Sequence, residues 1–288
     1  MMTHRQFSRN AASSRAIPVN KLIQDVIDDP FVPLHWGANQ KGMQADQECD
    51  QTVAVWNTGE GWRYIHKLEA WLKACDAAVQ VAESFNAAGY HKQIVNRLLE
   101  PFAHITVVVS GTEWSNFLAL RDHKDAEPHI QILAQEVRKE LDREDNIQIL
   151  EPGQWHLPFA NSGVDKTNAE ARITSNGMLR KVPMPDEINE LLIKMAVACC
   201  ASTSYKTVDG FDMTFDKAIE LHDKLVGSAP LHASPAEHVA QADMLSKDVI
   251  FDNDGCWIGE EKVWDQPQLH GNFSGFIQYR KQLPNECL

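Results

Sequence analysis

The residues best suited to bind an anion are crowded into the first fifteen positions of the chain. Between Thr3 and Arg15 the sequence holds three arginines, one histidine, three serines, one threonine and one asparagine. Guanidinium groups and hydroxyls in close succession suit the oxygens of a phosphate or the edge of a base. A disordered basic N-terminus is the alternative interpretation. Phe7 and the spacing of the hydroxyls favour a folded anion site.

Two more arginines stand near the ends of predicted helices. Arg97 lies in the run NRLLEP of Asn96–Pro101, and Arg121 ends the run NFLALR of Asn116–Arg121. An arginine in the last turn of a helix is commonly a solvated cation that the helix dipole favours. The functional alternative is a ligand contact, because a fixed guanidinium stabilises developing negative charge without losing its own proton.

The composition excludes several classes of protein. The 288 residues carry a formal net charge of −13, which argues against broad nucleic-acid binding, so any anionic ligand requires a local arginine cluster. No apolar run approaches a membrane span and no signal peptide opens the chain. The six cysteines form no CxxC pair, which is typical of reduced thiols in a cytoplasmic protein. His232 and His238 are spaced too poorly for a metal pair and no third ligand is evident, so no metal site is predicted.

Mixed helical and strand patterns predict an α+β fold in one domain covering residues 1–288, with helices packed around a mixed or antiparallel sheet. Apolar residues at steps of three and four indicate the main helices, and a β-branched run indicates a strand buried on both faces. The predicted helices are a segment opened by Pro18, then Trp62–Ala88, His91–Glu100, Glu113–Leu120 capped by Thr112, Pro128–Leu141, a segment from Asp186, and Phe215–Leu225. The predicted strand is His104–Val109, with a long loop over 30–48, loop-rich sequence over 151–185, and a tail over 247–288 that we leave unassigned.

The N-terminal segment resembles a signature of the flavin-dependent thymidylate synthases, RHRxxSxNExSxR. Six of its eight fixed positions are matched, by His4, Arg5, Ser8, Asn10, Ser13 and Arg15. Thr3 stands where the family usually has arginine, and Ala11 where it usually has glutamate. The NRLLEP and NFLALR runs are also similar to segments of that family.

The order of the segments differs from that of the family. The stretches ASTSY (201–205) and HASPAEH (232–238) resemble ARVSF and HxTPFEH, which usually precede the signature. We therefore expect a circularly permuted chain, which a fold tolerates when its termini lie close together. In the family a strand and most of a helix precede the signature, whereas only Met1 and Met2 precede it here. We expect that element to be missing or supplied by the tail.

The resemblance implies a cytoplasmic homotetramer that methylates dUMP to dTMP with methylenetetrahydrofolate, NADPH and FAD, each active site being shared between subunits. It implies that Arg121 activates the uracil ring, and that Ser13, Ser14, Arg15, Arg97 and Arg121 bind dUMP. The residues that it implies for FAD are Thr3, His4, Arg5, Ser110, Thr112, Asn116, Ser204, His232, Ser234 and Glu237.

Two other functions remain open from the sequence. The same pocket could serve a flavin-dependent hydroxymethylase of pyrimidine nucleotides, in which water replaces hydride in the last step. The departures at Thr3 and Ala11, with the short N-terminus, instead suit a relative that binds flavin or nucleotide without catalysis. The mass of the product separates methylation from hydroxymethylation. The absence of turnover identifies the relative that binds without catalysis.

Overall fold

A computed structural model describes residues 6–41, 47–176, 184–204, 213–228, 231–251 and 257–286. Thr3, His4 and Arg5, which the signature assigned to FAD, lie outside the described residues. Helices and small antiparallel sheets together confirm the predicted α+β class. No helix in the described ranges is long and apolar enough to cross a membrane.

The chain order mixes long helices with short strands. The helices are α1 (Val19–Asp28), α2 (Lys67–Ala87), α3 (Lys92–Val95), α4 (Ser115–Arg121), α5 (Pro128–Leu141), α6 (Gly163–Asn176), α7 (Pro185–Ala201), α8 (Phe215–Val226) and α9 (Tyr279–Gln282). The strands are β1 (Ser8–Ala11), β2 (Val53–Asn57), β3 (Gly61–Ile65), β4 (Val107–Ser110), β5 (Trp155–His156), β6 (Ala240–Ala242), β7 (Leu245–Phe251), β8 (Trp257–Trp264) and β9 (Phe276–Gln278). Short 3₁₀ helices occupy Ser14–Ala16, Asn96–Leu98, Glu100–Phe102, Glu144–Asn146, Ser202–Ser204, Ser234–His238 and Pro267–Leu269.

Within the described ranges, the strands form four small sheets. Strand β1 pairs with β4, and β2 with β3 as an antiparallel hairpin. Strands β5, β6 and β9 form an antiparallel sheet in that order, and β7 pairs with β8. The predicted sheet is therefore divided among several short ladders.

The described residues form two compact units, although the sequence was interpreted as a single domain. The first unit takes the described residues of Met1–Asn10, Val107–Trp114 and Ile147–Leu288. The second takes those of Ala11–Thr106 and Ser115–Asn146. Each unit is built from segments that are distant in sequence.

The core of the first unit is built on α7. One continuous run of this helix, Met195–Cys200, is at most 6% exposed, as expected for a helix surrounded by protein. Ala218 of α8 and Ala169 of α6 are fully buried in the same cluster. Small side chains at these two positions let neighbouring helices approach closely, so α7 is enclosed on several sides.

The core of the second unit lies between α1 and α2. Val19, Leu22, Ile23 and Val26 follow the helical pattern of one buried face, and they pack in a cluster with Cys75, Val79 and Ala82 of α2. Val95, Leu99 and Phe102 complete this cluster. The backbone that carries Arg97 is therefore anchored on both sides by fully buried residues.

Several helix predictions are confirmed. Helix α5 spans Pro128–Leu141 as predicted, because Glu127 accepts a hydrogen bond from the Ile130 N–H (3.1 Å) and proline suits the first turn. Helix α1 begins directly after Pro18, and α7 begins at Pro185, one residue before the predicted Asp186. Helix α8 begins at Phe215, where Thr214 supplies the N-cap.

The predicted helix Trp62–Ala88 is wrong in its first turn. Residues 61–65 form β3, and the helix begins at Lys67, where the His66 imidazole accepts from the Leu68 N–H at 3.3 Å. The spacing of apolar residues in the sequence places Ile65 on the buried stripe of the predicted helix. It is buried from a strand instead, so its agreement with the helical spacing is fortuitous.

Other boundaries also differ from prediction. The His91–Glu100 helix is one turn of α-helix followed by two 3₁₀ turns, and the strand His104–Val109 is shortened to Val107–Ser110 and only half-buried. Thr112 does not cap the next helix, which starts at Ser115, because its hydroxyl accepts from the Ser274 N–H at 2.9 Å. The loop-rich segment 151–185 contains β5 and α6, and the unassigned tail 247–288 contains most of β7 and all of β8, β9 and α9.

Candidate functional site

Four of the five residues predicted to bind dUMP line one cavity in the second unit. Ser13, Ser14 and Arg15 approach it from the 3₁₀ turn after β1, and Arg97 from the 3₁₀ turn after α3. The cavity volume is about 550 Å³, within the range of small-molecule sites. We call it the anion pocket; its lining is completed by Ala12, Ile17, Leu22, Glu100, Ala103, His104 and Ile105.

A buried asparagine fixes the turn that carries the two serines. The Asn96 side chain is fully buried, and its Nδ2 donates to the carbonyl oxygens of Ser14 (2.6 Å) and Ile17 (2.9 Å). Lys92 Nζ donates to the carbonyl of Ala16 at 2.9 Å. These contacts close the turn against the backbone that carries Arg97, so both parts of the anion pocket are positioned by one rigid element.

Replacing Asn96 with alanine is expected to lower the free energy of unfolding by about 2 kcal/mol, because two buried hydrogen bonds are lost. Urea denaturation measures this change. Asn86→Ala is the matched control: Asn86 is a half-buried asparagine on α2 whose bond to Asn20 is exposed, so we expect a change within about 0.5 kcal/mol. Equal effects of the two variants would contradict the clamping role.

Charge in the anion pocket is locally positive in an acidic protein. The guanidinium groups of Arg15 and Arg97 are exposed to solvent, and His104 Nε2 lies 3.6 Å from a carboxylate oxygen of Asp29. Glu100 is the acidic member of the lining. Its Oε1 accepts from Ser14 Oγ at 2.7 Å, and its Oε2 lies 4.0 Å from Arg97 Nη1. The pocket can thus bind an anion through two guanidiniums and two hydroxyls.

Arg121 is the last residue of α4 and is not among the residues that line the anion pocket. Its Nε is buried and has no hydrogen-bond partner within the described part of the chain. A buried guanidinium N–H without an acceptor is costly, so this group is suited to an acceptor on a ligand. Asn116, predicted to bind FAD, lies exposed on the same helix.

A second, smaller cavity lies in the first unit and contains two of the predicted FAD residues. Ser110 and Thr112 line it together with His156, Phe273 and Phe276, and its volume is about 130 Å³. The Ser110 hydroxyl lies 2.9 Å from His238 Nδ1. We call it the aromatic cavity. Hydroxyls beside aromatic rings suit the edge of a planar heterocycle.

The remaining predicted FAD residues of the first unit are dispersed. His232 and Ser234 are exposed near the 3₁₀ helix Ser234–His238, and Glu237 contacts Arg280 as an ion pair. Ser204 ends another 3₁₀ helix, and only its backbone is described. Of His232, Ser234 and Glu237, none lines the aromatic cavity.

Sequence reasoning missed the residues that complete the two cavities. Glu100 lies within NRLLEP, where the sequence indicates no role for it, and Phe273 and Phe276 fall in the unassigned tail. His156 falls in the loop-rich segment 151–185, and the sequence suggests His238 only as a metal ligand with His232, which its spacing argues against. The sequence NFSGF over residues 272–276, with two aromatics around a glycine of φ 80°, was the available signal for a close-packed cavity wall.

His238 is a buried histidine with one unused nitrogen. It is fully buried, and its Nε2 has no partner in the described residues. Burial lowers the pKa of His238 to about 4, and the nearby His156 acts in the same direction. The imidazole is therefore neutral at pH 7 and can exchange a hydrogen bond with Ser110 without carrying charge.

This pKa shift predicts that stability falls as the pH falls. The unfolded chain binds the His238 proton near pH 6.5 and the folded chain only near pH 4. The contribution of neutral His238 to the free energy of unfolding is therefore complete above pH 6.5 and is lost between pH 6.5 and 4. The loss amounts to at most about 3 kcal/mol. Urea denaturation of the wild type and of His238→Gln at pH 7.5, 6 and 4.5 should give a flatter pH dependence for the variant. The exposed His123→Gln is the control and should keep the wild-type slope; a His238→Gln slope equal to wild type would contradict the assignment.

Of the cysteines that the structure describes, Cys49 and Cys75 are free thiols. Burial raises the pKa of the Cys75 thiol, so it is a poor nucleophile. Neither cavity is lined by a cysteine. The chemistry of these cavities therefore depends on hydroxyl, imidazole and guanidinium groups.

Compared with protein-family models, curated proteins and solved structures, the chain matches none of them.

Proposed function

We propose that the protein is a flavin-dependent thymidylate synthase, which methylates dUMP to dTMP with methylenetetrahydrofolate as carbon donor and NADPH as reductant. One observation carries the proposal. Ser13, Ser14 and Arg15 of the N-terminal signature share the anion pocket with Arg97, which lies 82 residues further on and was assigned to the same ligand. Independent convergence of these groups supports a site for a nucleotide phosphate.

In this function the anion pocket binds the 5′-phosphate of dUMP. The hydroxyls of Ser13 and Ser14 donate to phosphate oxygens, and the guanidiniums of Arg15 and Arg97 neutralise their charge. Asn96 keeps the serine turn in place, which orients the nucleotide without touching it. Arg121 stabilises negative charge on the uracil ring and so activates C5.

The aromatic cavity fits one edge of a flavin. Ser110 and Thr112 offer hydroxyls, and Phe273 and Phe276 offer apolar ring faces. A volume of about 130 Å³ is below the roughly 300 Å³ of a typical cofactor site, so another surface must cover the rest of FAD. A shared site in a homotetramer, which the resemblance implies, provides that surface.

When bound, FAD supplies the hydride that completes the methyl group, and NADPH restores its reduced state. This chemistry needs no cysteine nucleophile, in agreement with the lining of both cavities in the described chain. The protein's own contribution is to bind the phosphate, orient the ring and stabilise its charge.

Visible absorbance of the purified protein tests this proposal. We expect a bound-flavin spectrum, either as purified or after addition of FAD, that shifts when dUMP is added. The variant Arg97→Ala should bind flavin equally and lose the shift at the same dUMP concentration. Protein that stays colourless after FAD is added would overturn the flavoenzyme and leave only the anion pocket.

A further inference from the structure

The Glu100 carboxylate faces the hydrogen-bond donors with which the anion pocket would bind a phosphate. Its Oε1 accepts from Ser14 Oγ at 2.7 Å, and its Oε2 faces Arg97 Nη1 at 4.0 Å. Both groups are ones that the proposed function assigns to the phosphate. A bound phosphate and this carboxylate therefore compete for the same hydroxyl and the same guanidinium.

The carboxylate can leave this position at low cost. The Glu100 side chain is 44% exposed and that of Arg97 is 59% exposed, so water solvates both. Ion pairs of such exposure contribute little to stability. The Glu100 backbone, in contrast, is held between buried Leu99 and the 3₁₀ turn through Phe102, so only the side chain needs to move.

We propose that Glu100 is a specificity-determining residue: an internal carboxylate that holds Ser14 and Arg97 until a phosphate monoester displaces it. This inference rests on the proposed function, since it concerns the same pocket. A phosphate monoester carries about 1.5 to 2 negative charges at pH 7 and three acceptor oxygens, whereas the carboxylate carries one charge and two oxygens. The exchange thus favours the monoester and gives no advantage to a neutral nucleoside.

The charges around the pocket agree with this role. Arg15 and Arg97 give it a positive side, and without Glu100 this side would attract any small anion. Glu100 lowers that attraction by an amount that a dianion overcomes most readily. Glu100 therefore raises the selectivity for a dianion over other small anions and lowers the affinity for all of them, as like charge near a ligand commonly does.

Calorimetric titration of the full chain with dUMP, deoxyuridine and inorganic phosphate tests the proposal. Glu100→Gln keeps an oxygen acceptor for Ser14 and removes the charge. We expect this variant to bind dUMP and inorganic phosphate about three- to tenfold more tightly than the wild type and to leave deoxyuridine unchanged. Glu69→Gln is the charge-matched control: Glu69 lies on α2, pairs with Lys73 and does not line the pocket, so we expect no change.

The outcomes separate this proposal from the proposed function. If the wild type binds dUMP and Glu100→Gln binds it no more tightly, the role of Glu100 is overturned and the proposed function stands. If neither the wild type nor the variants bind dUMP, the proposed function fails. The titration with inorganic phosphate then tests the role of Glu100. Tighter phosphate binding by Glu100→Gln, but not by Glu69→Gln, supports the role; equal binding overturns it.

Discussion

Replacing Arg97 with alanine is expected to weaken dUMP binding by about ten- to a hundredfold, because one of the two guanidiniums of the anion pocket is removed. The loss should disappear for deoxyuridine, which has no phosphate. Fold stability should change by less than about 1 kcal/mol, since the Arg97 side chain is exposed. Calorimetric titration with both ligands measures the effect.

Arg143→Ala is the matched control for the Arg97 variant. Arg143 belongs to the same unit as Arg97, and its replacement removes the same charge. Its side chain pairs with Glu140 and Asp145 on the surface. We expect wild-type dUMP affinity for this variant. Equal weakening by both variants would reduce the effect to a general change in charge and contradict a phosphate contact at Arg97.

Replacing Arg121 with alanine is expected to lower the rate of product formation by about a hundred- to a thousandfold, the range found when one charge-stabilising donor is removed from an active site. Flavin should remain bound, because the role assigned to Arg121 is toward the uracil ring. Its buried Nε, which has no acceptor among the described residues, is the structural reason to expect a ligand partner. The rate at saturating dUMP and the dUMP dissociation constant are measured separately.

Two further variants test whether the lost rate is due to the Arg121 guanidinium itself. Arg121→Lys keeps the charge but not the planar guanidinium, so we expect partial recovery of the rate. Arg138→Ala is the control. Arg138 lies in the same unit and pairs with Asp122, and we expect its replacement to leave the rate unchanged. Wild-type turnover in Arg121→Ala would contradict the assigned role.

Local signals predicted the helices well where a start signal and an apolar face coincide. Helix α5 begins at Pro128 with an acidic residue before it, and α1 shows one clear apolar face. Helix α6 has a start signal, since Ser162 and Asp165 bond each other's backbone N–H groups, but within Gly163–Asn176 the sequence is mostly polar and Ala169 is the buried residue that joins it to the core. Because no apolar face is evident, the sequence predicts a loop-rich segment here.

The strand pairings could not be predicted for a different reason. In the β7–β8 ladder, Lys247 pairs opposite Lys262 and Asp248 opposite Glu261, so charged residues fall on both faces. Such a ladder lacks the alternation of apolar and polar residues by which strands are predicted. The division into two units joins segments from opposite ends of the chain, and no local pattern encodes it.

The resemblance, and not the spacing, implied that Arg15 and Arg97 serve one ligand. Nothing in the sequence between Arg15 and Arg97 requires the two arginines to meet. Only the matched segments assigned them to one ligand, and both line the same cavity. Glu100 and His238 show the limit of such transfer, because the resemblance gives neither of them a role, yet each shares a hydrogen bond with a serine of a cavity.

The most direct measurement is the identity of the nucleotide formed when the purified protein is incubated with FAD, dUMP, methylenetetrahydrofolate and NADPH. Mass spectrometry of the nucleotide pool should detect dTMP, and the amount should fall to background without NADPH or folate. A hydroxymethylated nucleotide would contradict methylation while keeping the flavin chemistry. Recovery of unchanged dUMP alone, from protein that binds both FAD and dUMP, would contradict the proposed enzyme.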